Sequence, residues 1–159
     1  MKKILILISV LLLSFIQNYS FAEDKFDNIN QVFQLDIKTL KYEQKQLVYA
    51  IITGNKNAVK TILDSDSEPN TTYAKIPLTM FAIHSNEIEI LKMLIENYNF
   101  NPDEKIMDVT PLEIAIFLKK YDAIEYLLSI GVKPTEEDLN YIKKSKNKKL
   151  KELFIRNFT

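Results

Sequence analysis

Residues Thr110 to Gly131 read TPLEIAIFLKKYDAIEYLLSIG, and the reading of this stretch decides the fold. The Thr110 hydroxyl can cap a helix N-terminus, and Pro111 at the first helical position gives up no hydrogen bond that the helix needs. Ala115 follows five residues after Thr110 and is small enough to admit a partner helix at close range. Ile124, Leu127 and Leu128 then fall on one face at i, i+3 and i+4. Gly131 can enter the left-handed region that stops a helix. The stretch predicts two short helices back to back.

The same pattern recurs upstream. Ala82 lies thirty-three residues before Ala115, and Ala50 thirty-two before Ala82. Ile90, Leu91, Met93, Leu94 and Ile95 follow Ala82 in the places that Ala123, Ile124, Tyr126, Leu127 and Leu128 take after Ala115. Ala58, Val59, Ile62 and Leu63 repeat them after Ala50, and a fourth, shorter copy fits DLNYIKKSKNKKLKELF, with Leu139, Ile142, Leu150, Leu153 and Phe154 as its apolar positions. The only two glycines agree with this register. Gly54 falls where a first helix ends and Gly131 where a second one ends, both sites that favour positive φ. Asn86 holds the Gly54 position in the second copy; Lys119 holds it in the third and departs from the pattern.

Thr110, Pro111, Leu112 and Ala115, with Glu113 in place of the usual His, and a period near 33 together resemble the ankyrin repeat. The resemblance covers roughly residues 45–159. It implies an all-α solenoid of helix pairs with short hairpin loops, about three repeats, and a capping helix at each end. Phe26, Ile29, Val32 and Phe33 recur at helical spacing within residues 23–44, which predicts the N-terminal cap. Thr135-Glu136-Glu137-Asp138 reads as a helix start for the C-terminal one. Pro69-Asn70 and Pro102-Asp103 stand in residues 65–75 and 99–108, where hairpins turn out of such a stack. Asn70-Thr71-Thr72 matches a glycosylation sequon but reads as an ordinary polar turn.

The chain opens with Lys2-Lys3, the apolar run Ile4 to Ile16 and then Ser20-Phe21-Ala22, the order of a bacterial-type secretory signal with cleavage after Ala22. The apolar run is too short to cross a bilayer comfortably. A mature chain from Glu23 is therefore expected in the periplasm or secreted, as a monomer. It would carry 19 basic and 21 acidic residues, a net of −2, which argues against nucleic-acid binding.

Chemistry is sparse. There is no Cys, so no disulfide, thiolate metal site or thiol nucleophile, and His84 is the single His. Two glycines, both at helix ends, leave no phosphate-cradling loop. No enzyme, cofactor or metal is expected.

A protein partner is. The resemblance places a concave groove along the positions two and three past each small Ala and along the hairpin before each first helix. Here these are Ile52, Thr53, Tyr73, Ala74, His84, Ser85, Ile106, Met107, Phe117 and Leu118. Tyr73 and Phe117 are the expected anchors, flanked by His84 and Met107, because large aromatic and Met side chains on an exposed patch mark binding sites. An immunity-type or stress-protection role fits such a binder. The alternative lies at the C-terminus. Residues 141–159 carry seven basic residues and one acidic, a net of +6, against 12 basic and 20 acidic in residues 23–140. That end suits either a lysine-solvated cap or an envelope-associated factor resting on anionic membrane.

Overall fold

The structure, a computed structural model, describes residues 41–65, 76–106 and 108–158. The signal-like stretch, residues 23–40 of the predicted N-terminal cap, the Pro69-Asn70 turn, Tyr73, Ala74 and Met107 lie outside them, while residues 42–44 of that cap belong instead to the first described helix. The described residues form eight helices: α1 (Tyr42–Ile52), α2 (Lys56–Ser65), α3 (Leu78–Ser85), α4 (Ile88–Tyr98), α5 (Pro111–Phe117), α6 (Tyr121–Ser129), α7 (Glu136–Lys144) and α8 (Lys148–Phe158). They contain no strand, only an isolated bridge between Ile106 and Val109. The first helices α1, α3 and α5 stack into one layer, the second helices α2, α4, α6 and α8 into another, and the pairs pack across the seam.

Local chemistry sets the repeat. In three successive copies a first helix closes on the same carbonyl. Asn55 N–H donates to Ala50 O at 2.9 Å, Glu87 N–H to Ala82 O at 2.8 Å, and Lys120 N–H to Ala115 O at 2.9 Å. This is the wide bond of a Schellman stop, and the residue before each donor must turn left-handed. Gly54, Asn86 and Lys119 do so, with φ of 69°, 63° and 55°. Lys119 thus keeps the turn despite its Cβ. Thr110 caps α5 as expected, its hydroxyl accepting from Glu113 N–H at 3.0 Å, with Pro111 in the first turn. Gly131 has φ 93° just past α6.

The small alanines Ala50, Ala82 and Ala115 are buried, and Ile90, Leu91, Leu94, Ile124, Leu127 and Leu128 of the second helices belong to the same continuous core. At about 25 cal/mol per Å² of apolar surface, such a continuous core is what holds a stack without cross-links.

The fourth copy is truncated. Six residues connect α6 to α7, where twelve connect α4 to α5, so no hairpin precedes it. Thr135 and Asp138 form the capping box: the Thr135 hydroxyl accepts from Asp138 N–H at 3.1 Å and the Asp138 carboxylate accepts from Thr135 N–H at 2.8 Å. Ile142, Leu150, Leu153 and Phe154 are buried, whereas Leu139, predicted inside, is 36 % exposed. Ile142 and the buried Asp138 set the inner face of α7, and Leu139 falls outside that stripe.

Candidate functional site

The predicted groove follows the C-terminal ends of the first helices. Ile52 is half-buried and Thr53 exposed; His84, Ser85 and Leu118 are half-buried. They stand at equivalent stations from the end of α1 to the turn after α5, with Ile52 and Leu118 packed against the core. The Thr53 hydroxyl donates back to Tyr49 O at 2.8 Å, which ties that side chain to its own helix. The Ser85 oxygen is buried and finds no hydrogen-bond partner among the described residues.

Phe117 departs from the expectation of an exposed anchor. It is only 7 % exposed and belongs to the contiguous apolar core, as does Ile106 at the base of the hairpin. Register fixes the side of the helix on which a residue emerges. It does not fix how deeply a ring can fold back, and burying a Phe is worth about 1.5–3 kcal/mol. Tyr73 and Met107 lie outside the described residues, so of the expected quartet the structure leaves His84 alone half-buried, near the end of α3.

The hairpin before α5 is built as a tight two-residue turn. Ile106 N–H donates to Val109 O at 3.0 Å, and Val109 N–H to Ile106 O at 2.9 Å. Asp108 turns with φ 65°, a conformation that Asp tolerates better than most residues. Ile106 and Val109 are buried while Lys105, just before the closing pair, and Asp108, within the turn, are exposed, so the hairpin anchors by its base and leaves charge on its outside. Upstream, Asn101 accepts from Asp103 N–H at 2.9 Å, an Asx turn at the predicted Pro102-Asp103 corner.

The second-helix face carries a tyrosine network that sequence reading missed. Tyr98 donates to Asp64 at 2.6 Å across α4 and α2. Tyr126 donates to Glu96 at 3.0 Å across α6 and α4. Tyr121 accepts from the Asn147 amide at 2.7 Å, and Lys149 stands 4.3 Å over its ring. Arg156 also pairs with Glu125. Burial, aided by the Asp64 carboxylate, pushes the Tyr98 hydroxyl up to about 12. Burial, aided by Glu96, raises that of Tyr126 as well. The hydrogen bonds from Lys60 and then Tyr98 lower the Asp64 carboxyl. Each link joins residues about one repeat apart, and that spacing is the signal that could have revealed it. A shallow depression of about 370 Å³ on this face is lined by Ile88, Lys92, Asp122, Glu125, Tyr126 and Ser129.

Among the described residues no three His, Cys, Asp or Glu gather as a metal-binding group. None of their helices is long and apolar enough to cross a membrane. A family model described as "Ankyrin repeats (3 copies)" matches residues 47–138. No curated protein and no solved structure matches the chain.

Proposed function

Since the chain belongs to the ankyrin-repeat family, whose stacks generally bind other proteins, we propose that it is a non-catalytic, exported module that captures a protein partner through its concave side. The observation that supports this reading is the row of Ile52, Thr53, His84, Ser85 and Leu118, left half-buried or exposed at equivalent stations of three repeats. A row of that kind is a ready contact strip, because its backbone is already rigid and little ordering entropy is lost on binding. The exposed charges of Lys105 and Asp108 on either side of Ile106 extend the strip, and Tyr73 and Met107 belong to it by register.

The Lys2-Lys3, Ile4–Ile16 and Ser20-Phe21-Ala22 order supports export to the periplasm or beyond, with Glu23 as the mature N-terminus. The partner's identity separates the two narrower roles: a toxin would make the protein an immunity factor, an oxidative-stress component a protective one.

Affinity capture with paired variants tests the reading. His84→Glu together with Thr53→Glu places charge in the groove, whereas Lys92→Glu places it on the second-helix face. A partner bound by wild type and Lys92→Glu but lost from the groove variant is the expected result. Retention by the groove variant and loss from Lys92→Glu would move the interface to the opposite face.

A further inference from the structure

The geometry points to the last helix pair as a docking surface for anionic phospholipid, separate from the concave groove and not dependent on it. The surplus of cations at this end is divided between two tasks. Lys149 and Arg156, though exposed, reach back to the preceding second helix, over the Tyr121 ring and to Glu125. Lys143, Lys144, Lys146 and Lys148 are exposed and Lys151 half-buried, and among the described residues none of the five forms an ion pair.

On α8 the buried stripe is Leu150, Leu153 and Phe154. Lys148, Lys151 and Ile155 recur at i, i+3 and i+7 and lie on the outward side of the helix, which the exposed Glu152 shares. Ile155 is 61 % exposed there. α7 repeats the combination, with exposed Leu139 one turn before Lys143.

A cap helix needs charge on its outer face only for solubility, and either sign serves. α2 and α4 balance theirs: Lys60 pairs with Asp64 at 2.6 Å, and Lys56 and Lys92 both reach Glu89 at 3.5 Å. Glu152, four residues after Lys148, forms no such pair. An unbalanced cationic face with an apolar side chain at its centre matches a bilayer surface, where headgroup charge attracts lysine and the interface accepts isoleucine. An acidic protein would use the lysines but gain less from a single exposed Ile.

The test is co-sedimentation of the full chain, in the form isolated from cells, with phosphatidylglycerol or phosphatidylcholine vesicles. Binding to the anionic vesicles above that to the neutral ones, released as salt shortens the screening length, is expected. Lys148→Gln with Lys151→Gln should weaken partition roughly fivefold per lysine, about 25-fold together, with an unchanged far-ultraviolet circular dichroism spectrum. Ile155→Ser should lower the bound fraction further. Equal binding to both vesicle types, or indifference to the lysine pair, overturns the proposal. So does equal binding to a soluble acidic polypeptide that Ile155→Ser leaves unchanged, which would assign the surface to an acidic protein instead.

Discussion

Lys119 is the residue that tests the repeat most sharply. It occupies the left-handed station that Gly54 and Asn86 hold in the preceding copies, with φ 55° and its N–H on Ile116 O at 3.1 Å. A side chain in that region costs about 1 kcal/mol, and glycine relieves it. Lys119→Gly should therefore raise the denaturant midpoint by about 0.5–1 kcal/mol of stability, whereas Gly54→Ala should lower it. A Cβ on Gly54 would stand 2.8 Å from the Glu87 carboxylate as well as in a strained φ. Phe117 gives the opposite lesson. Its burial makes Phe117→Ala a core truncation, expected to cost about 3–5 kcal/mol in chemical denaturation. A loss below 1 kcal/mol would return Phe117 to the surface. The αL stations were legible because Gly and Asn announce them. The depth of Phe117 was not, because it depends on neighbours that no local spacing reports. Thr79 shows the same limit: it takes the position of Leu112 one period earlier, is fully buried, and its hydroxyl has no partner among the described residues.

Between elements, the helices of both layers were readable, but the side-chain bonds that link the second helices to one another were not. Ala50, Ala82 and Ala115 mark where first helices meet, and a small residue at a fixed period needs no knowledge of its partner. The bonds of Tyr98 to Asp64 and Tyr126 to Glu96 depend on how far each pair rotates on the last. That rotation is a property of the packed core. These bonds make the layer sensitive to alkali. The fold holds the Tyr98 hydroxyl up to about 12, above its ordinary value of 10. Folding therefore favours the protonated phenol. The stability this contributes is complete below pH 10 and disappears as pH rises through about 12. Tyr126 shifts in the same direction. Phenolate absorbance followed against pH should show two tyrosines ionising late in the folded protein, and Tyr98→Phe should remove one of them. Late ionisation that persists unchanged in Tyr98→Phe would mean that the bond to Asp64 does not form in solution.

Across the whole molecule, stability of such a stack is close to a sum of pair terms and nearest-neighbour terms. The interior pairs have neighbours on both sides. Among the described residues the α7–α8 pair packs against a neighbour on one side only, and no hairpin precedes it. Its attachment to α6 rests on Leu150, Leu153 and Phe154 together with Asn147 and Lys149 on Tyr121 and Arg156 on Glu125. Amide hydrogen exchange should accordingly rank the helices, with α7 and α8 opening before α3 to α6. Tyr121→Ala removes a hydrogen bond and a cation–π contact at that one junction, worth about 2 kcal/mol together, or roughly thirtyfold in local opening. Exchange in α7 and α8 should accelerate by that factor while α3 and α4, two junctions away, keep their rates. If every helix instead lost protection equally, the end pair would not be a separate unit. The chain would then unfold as one block, with no end free to open before the middle.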